Sequence, residues 1–198
     1  MFEFLQRDII HITICKNHIF DSSKEMKQLQ KMTKQFMDLY NSQSDAVFRY
    51  CFFRVSDREQ CKDIVQEAFT RLWDAFVKDV ENIKNPRALL FRITSNLIID
   101  WYRKKKSVSL DNLLESDKIE FGLQIADNSY EQMEIQSEGK IFLKYISSLD
   151  ATYQQVVYLR YVEDMSPKEI ADITGLSVNV VSVRINRGIE ILKKKYEI

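Results

Sequence analysis

Asp63, Gln66, Glu67 and Arg71 recur at spacings of three and four residues, so on a helix they share one face. That face would carry two carboxylates, an amide and a guanidinium, suited to charge-assisted hydrogen bonds that orient a protein partner. A plain solvated helix face has the same make-up, and at this point both readings stand. A second set is Arg92, Asn96, Tyr102, Arg103 and Lys104. Cations for phosphates, an amide for a base edge and an aromatic ring for stacking are what contact with unpaired nucleic acid requires. A third set, Ser182, Val183, Arg184, Asn186 and Arg187, lies near the C-terminus. There an arginine can make bidentate or phosphate contacts and an asparagine can read an adenine edge. None of this is covalent chemistry. The sequence has no P-loop, no metal-ligand cluster and no Ser/His/Asp or Cys/His set, and His11 and His18 both fall in an irregular N-terminal stretch. No catalytic residue, no metal and no cofactor is therefore expected.

The elements that must position these sets are helices. Four Gly and two Pro in 198 residues come to about 3%, against roughly 12% in an average protein, too few for a turn-rich sandwich, barrel or doubly wound sheet. The expected fold class is all-α. Ser56 to Glu59 reads as a capping box opening a helix whose apolar stripe is Ile64, Val65, Ala68, Phe69, Leu72, Trp73, Phe76 and Val77. The carboxylate set and Asp74 lie opposite that stripe. Asn85 before Pro86 starts a second helix. Its stripe runs through Leu90, Ile93, Leu97, Ile98 and Trp101 to the basic end at Lys106, with Trp101 assigned to the core. Residues 78–85 should form the loop between the two.

Further along, helical patterning returns at Ile141 to Ser147 and at Ala151 to Val162, where Val156, Val157, Leu159 and Tyr161 are apolar. Ser166, Pro167 and Glu169 combine a capping box with proline at the first helical position, and Gly175 should end that helix as a left-handed cap. Ser177 then caps a last helix with a buried stripe of Val181, Ile185, Ile189 and Leu192. A short helix, a tight Gly-containing turn and a longer helix make a helix-turn-helix pattern, which a simple helical hairpin shares in part.

Charge divides the chain in the same places. Twenty-nine basic and 29 acidic residues cancel, which argues against nonspecific coating of nucleic acid. Yet from Lys84 to Lys106 seven basic residues face Asp100 alone, a local charge of +6, while Ser107 to Lys140 carries −6. The C-terminal helix is basic again, with Arg184, Arg187 and Lys193 to Lys195. Two basic lobes joined by an acidic strap point to polyanion contact at both lobes. The expected organisation is an N-terminal extension over 1–31, read as a loose appendage or an over-long translation start, then helical domains over 32–106 and 138–198 with a linker over 107–137. Cys15, Cys51 and Cys61 lack a CxxC spacing and an even count, which fits a reducing, cytoplasmic compartment. No apolar run reaches the roughly 20 residues of a membrane span, so no membrane insertion is expected.

These motifs resemble bacterial sigma factors of the extracytoplasmic-function (ECF, group IV) class of the sigma-70 family, which keep only sigma regions two and four. Asp63, Gln66, Glu67 and Phe69 stand at the family's spacing in the helix that docks on the clamp helices of the polymerase largest subunit. Arg87 to Arg103, with Asn96 and Asp100, resembles the helix that recognises and melts the −10 element. Leu159 to Tyr161 followed by Ser166 to Arg187 resembles region four, which reads the −35 element. The resemblance implies a promoter-specificity subunit whose partners are the RNA polymerase core, through the clamp helices and the second-subunit flap, and promoter DNA, with an anti-sigma factor as a further partner. It implies that Asp63, Gln66, Glu67 and Arg71 bind core polymerase. It also implies that Arg92, Asn96, Tyr102, Arg103 and Lys104 contact the −10 element, that Ser182, Val183, Arg184, Asn186 and Arg187 contact the −35 element, and that residues 78–85 cradle a flipped base. The last helix departs from the pattern: Val180 stands where the family usually has Thr, Ser182 where it often has Arg or Lys, and Val183 where it commonly has Ser. Two rivals remain in view, a stand-alone helix-turn-helix regulator, which leaves Asp63 to Phe69 unexplained, and a helical adaptor binding acidic proteins.

Overall fold

The computed structural model describes residues 23–108 and 137–196, and these are helical throughout apart from short turns. The chain divides into two compact units, Met1–Asp38 and Leu39–Ile198. In chain order the helices are α1 (Ser23–Val55), α2 (Arg58–Asp79), α3 (Pro86–Val108), α4 (Ser137–Ser147), α5 (Ala151–Tyr161), α6 (Pro167–Thr174) and α7 (Val178–Tyr196), with a 3-10 turn at Val80–Asn82. The extension's residues 1–22 and most of the acidic linker lie outside the described residues. Residues 23–31, assigned to the extension, are the first turns of α1, which runs unbroken past position 32. Met26, Leu29, Met32 and Phe36 already recur at helical spacing there, among good helix formers such as Lys, Gln and Glu. Of the linker's ends, α3 reaches Val108 and α4 begins at Ser137.

The start of α2 differs from the expected capping box. Asp57 is the cap, its Oδ1 accepting from the backbone N–H groups of Glu59 and Gln60 at 3.1 Å each. Ser56 has φ of 57° and its N–H donates to the Phe52 carbonyl at 2.9 Å, so it ends α1 instead of opening α2. Asp and Ser are near-equal caps, and the left-handed turn decides between them. In α2 the buried residues are Cys61, Ile64, Ala68, Phe69, Leu72, Trp73 and Phe76. Val77, placed in the stripe by its type, is 48% exposed, while its neighbour Phe76 takes the buried position of that turn. Asn85 caps α3 as expected, its Oδ1 accepting from the Ala88 N–H at 3.0 Å. Leu90 and Ile98 of α3 are buried, with Ala88, Phe91, Thr94 and Ser95, whereas Ile93, Leu97 and Trp101 are half-buried.

The C-terminal elements follow their start and stop signals. Ser166 and Glu169 form the capping box, Pro167 begins α6, and Gly175 takes the left-handed conformation at φ 73°. The Ser177 hydroxyl then accepts from the Val180 N–H at 3.3 Å. In α7 Val181, Ile185, Gly188 and Leu192 are buried, and Ile189 is only half-buried. Gly188 displaces it because α7 crosses α5 closely here: a Cβ on Gly188 would sit 2.7 Å from Val157 Cγ2. Tyr161, at the exposed end of α5, is 51% exposed, unlike Val156, Val157 and Leu159, which are buried.

The C-terminal helices are seated on the N-terminal ones. Tyr158 of α5 is buried with its ring 4.7 Å from that of Phe53 and 5.6 Å from that of Tyr50. The Tyr50 hydroxyl accepts from Arg54 Nη1 at 2.7 Å and from Gln155 Nε2 at 3.0 Å, and pairs with Ser95 Oγ at 2.8 Å. Arg87 Nη2 donates to the Glu163 carbonyl at 2.6 Å, and Asn85 Nδ2 donates to Glu169 Oε1 at 3.0 Å. The seam is aromatic at its centre and polar at its rim. Its buried polar groups are paired with one another, as burial requires.

Candidate nucleic-acid interface

On α2, burial of Phe69, Leu72 and Trp73 turns the opposite side outward, and Asp63, Gln66, Glu67, Arg71 and Asp74 are all exposed. Arg71 Nε donates to Glu67 Oε1 at 2.8 Å across one helical turn. Both side chains are about half exposed, so the pair adds little stability and leaves the second Glu67 oxygen facing solvent. The four residues picked from the sequence thus form one continuous face of two carboxylates, an amide and a guanidinium.

On α3, Arg92, Asn96 and Arg103 are exposed and fall within about 40° of one another at 100° per residue, a stripe some 16 Å long. Arg103 Nη1 lies 3.6 Å from Asp100 Oδ1, an exposed pair that solvent screens. Lys104 is exposed, about a third of a turn off that stripe. Tyr102 is placed differently. Its hydroxyl donates to the Arg54 carbonyl, and burial raises its pKa, so this half-buried side chain has its hydroxyl already engaged. Trp101 packs edge-on against Tyr102, and Lys105 Nζ sits 5.0 Å from its ring centroid. The half-buried Trp101 is therefore shared between core and surface, and neither sequence spacing nor burial alone assigns it to one side.

Of residues 78–85, expected as a loop, the first two are the end of α2, and the rest are the 3-10 turn Val80–Asn82 and the residues leading to the cap of α3. Asn82 Nδ2 donates to Asp79 Oδ2 there.

On α7, Asn179, Val180, Val183, Asn186 and Arg187 are exposed, and Ser182 and Arg184 are half-buried. With Val181 and Ile185 inward, Val183 is the residue pointing most directly away from the core, flanked by Asn179 and Asn186. Val180, Val183 and Arg187 form a ridge at i, i+3 and i+7. The Ser182 hydroxyl donates to the Val178 carbonyl at 2.9 Å. Arg184 lies toward the buried side, on a shoulder of the helix. Sequence reasoning placed Val183 in the third set, named Val180 only as a departure and passed over Asn179; full helical indexing of the first two turns would have found both Asn179 and Val180.

Two acids near the seam, Glu163 buried and Glu169 half-buried, behave oppositely. Burial holds the Glu163 carboxyl above the ordinary glutamate range, against the pull of Arg49 and Arg87. The Ser166 backbone N–H, donating to Glu169 at 2.9 Å, holds the Glu169 carboxyl below it. Among the described residues no helix is long and apolar enough to cross a membrane.

Two family models match the chain in order. The first is Sigma-70 region 2, over residues 39–108, and the second is Sigma-70, region 4, over residues 140–192. The chain is similar to the ECF RNA polymerase sigma factor SigW of Bacillus subtilis, 28% identical over 184 residues that cover 87% of this chain and 95% of that protein. It is also similar to the RNA polymerase sigma factor SigV of the same organism, 24% identical, covering 85% and 95%. Among solved structures it resembles the sigma factor RpoE in complex with the anti-sigma factor NepR from Bartonella quintana, with a TM-score of 0.61, 20% identity and coverage of 83% and 98%. It also resembles CnrH in complex with the cytosolic domain of CnrY, with a TM-score of 0.53, 22% identity and coverage of 86% and 94%.

Proposed function

The chain belongs to the sigma-70 family as an ECF RNA polymerase sigma factor built from regions two and four, and from that premise we propose how its surfaces divide the work of initiation. The α2 face of Asp63, Gln66, Glu67 and Arg71 docks on the clamp helices of core polymerase, where carboxylates meeting arginines fix orientation. The second-subunit flap receives region four. The α3 stripe of Arg92, Asn96 and Arg103, continued by Lys104 and Tyr102, holds the opened −10 strand, cations on phosphates and the amide on a base. The outward side of α7 enters the major groove at the −35 element. The protein itself makes and breaks no covalent bond. It acts in the cytoplasm, where the polymerase is.

One observation carries this division: the three residue sets lie on three different helices, and on each helix the core residues turn that set, at least in large part, to solvent. A stand-alone regulator needs the α7 face alone. It has no use for an outward α2 face at family spacing.

Geometry adds a requirement. Elements named for positions −35 and −10 lie about 25 base pairs apart, roughly 85 Å at 3.4 Å per pair. In the seated arrangement α3 touches α6, which in turn touches α7, and packed helices lie only about 8–10 Å apart. Both elements cannot be read at once until Tyr158 leaves its place beside Phe53 and Tyr50. An anti-sigma factor, the partner of the sigma factor in the Bartonella quintana structure, would hold the protein inactive by keeping these faces from core and promoter. The test is transcription by core polymerase with and without the purified chain over a promoter library. Transcripts that start at a shared pair of elements only when the chain is present support the reading, and promoter-independent transcription in both arms rejects it.

A further inference from the structure

The first two turns of α7 expose valine where an exposed helix is better served by other residues. Val178 is 45% exposed, Val180 40% and Val183 47%, and β-branched residues are among the weaker helix formers. A single exposed apolar side chain on a surface is ordinary. Val180 and Val183 are different, because they stand one turn apart on a ridge that ends in the exposed guanidinium of Arg187. Asn179 and Asn186 flank that ridge, and the helix continues into Lys193, Lys194 and Lys195. Apolar methyls between amide and cationic groups, on the outward side of a recognition helix, complement one feature of duplex DNA. The major groove offers a single apolar group, the 5-methyl of thymine, and aliphatic side chains contact it.

Resting on the proposed −35 role of α7, we infer that Val180 and Val183 are specificity-determining residues that read thymine by its 5-methyl group. Where hydroxyl side chains at these positions would read hydrogen-bonding edges, this chain reads an apolar one. The register follows from the helix. Val183 and Arg187 are four residues apart, about 6 Å along the axis, so the thymine under Val183 lies about two base pairs from the base or phosphate that Arg187 reaches. Cytosine at that position presents an amino donor and no methyl, so the valine ridge disfavours it.

Holoenzyme reconstituted from the full chain and bacterial core polymerase tests this. Promoters are first selected from a library randomised over the −35 element. Each −35 thymine is then replaced by deoxyuridine, which pairs identically and lacks only the methyl. At one or two thymines the parent holoenzyme should lose about fourfold in initiation, the equivalent of ~0.8 kcal/mol for one buried methyl-sized group at 1.4 kcal/mol per decade. With Val180→Ala or Val183→Ala, both at exposed positions, the loss at the corresponding thymine should fall to near unity. Deoxyuridine without effect at every −35 thymine overturns the inference, and so does an equal loss in parent and variants or a selected element without thymine. In those cases promoter-directed initiation persists and the sigma reading stands. Lowered holoenzyme assembly by Val183→Ala, with no deoxyuridine effect, would make the ridge a protein contact and also overturns it. A holoenzyme that shows no promoter preference removes both readings together.

Discussion

The two helices proposed to face DNA present different chemistry. Along α3 the outward residues include two long cations, Arg92 and Arg103, with Asn96 between them, while the first half of α7 turns out short side chains, Asn179, Val183 and Asn186, with Arg187 as its long arm. Reach and charge suit a strand that has been pulled from its partner, because phosphates and unstacked bases must be caught in variable positions. Short amides and methyls suit a groove whose edges are fixed in register. The contrast extends inward. The Tyr102 hydroxyl at the end of α3 is tied to the Arg54 carbonyl, which steadies the single-strand surface, whereas α7 is steadied by a bare backbone crossing at Gly188.

The largest expected effect lies outside both helices and sets the frame for comparing them. Asp63→Lys with Glu67→Lys should lower affinity for core polymerase by more than about 100-fold, since each lost charge-assisted hydrogen bond is worth about 1.5–3 kcal/mol. The melting temperature should hardly move, because both residues are exposed and the Glu67–Arg71 pair is a surface one. Fluorescence anisotropy with labelled core measures the first and a thermal melt the second.

Next come the helices themselves. Replacing Arg92, Asn96 and Arg103 together with Ala should cut promoter opening by about 10–100-fold, the equivalent of one charge-assisted hydrogen bond worth about 1.5–3 kcal/mol. A promoter pre-opened across the −10 element should restore part of that loss. Asn186→Ala with Arg187→Ala should weaken use of the −35 element by about 5–150-fold, the roughly 1–3 kcal/mol of one good base contact between them, and pre-opening should restore nothing. Permanganate footprinting on closed and pre-opened templates separates the two. If pre-opening rescued both equally, the division of labour between α3 and α7 would fail.

Much of this was legible in the sequence, and the misses have physical causes. Asn85, Ser166, Gly175 and Ser177 act as their types and positions foretold, since capping depends on a few neighbouring residues. Ser56 and Asp57 stand side by side as possible caps, and only the left-handed turn that ends α1 decides between them. Val77 and Tyr161 fit their stripes by type, yet each lies near a helix end and is about half exposed. Gly188 carries no hydrophobic signal, so a stripe drawn by residue type passes it for Ile189. The seam of Tyr50, Phe53 and Tyr158 with Glu163 and Arg87 joins residues from distant parts of the chain. No local period encodes such a meeting. The faces of α2 and α3 were readable because each is defined by its own helix.

Two smaller effects sharpen the internal side of the comparison. Gly188→Ala should destabilise the protein by about 1 kcal/mol, as crowding against Val157, about 1–3 kcal/mol, outweighs the helix-propensity gain of about 1 kcal/mol. Urea denaturation of Gly188→Ala alone and combined with Val157→Ala would show a coupling only if the crossing is as tight as it stands here. The smallest effect is at Glu163. Its carboxyl binds a proton more tightly folded than unfolded, where glutamate titrates at about 4.3. Its contribution to stability is therefore full below that value and is lost as pH rises through the folded value. Glu163→Gln keeps an oxygen for the Tyr158 hydroxyl and removes the loss. The variant should melt higher than the parent at pH 7 and no higher at about pH 4. A parent that gained stability with rising pH across this interval relative to the variant would reverse the assignment.

The central claim is that this chain reads promoters as a subunit of RNA polymerase and not by itself. An electrophoretic shift on one selected promoter, with the free chain and with reconstituted holoenzyme side by side, tests it most directly. With zero net formal charge the free chain has little electrostatic affinity for duplex, so it should show weak binding without sequence preference, and the holoenzyme should bind tightly and lose binding when either element is scrambled. Tight, sequence-specific binding by the free chain, unchanged by core polymerase, would contradict the account.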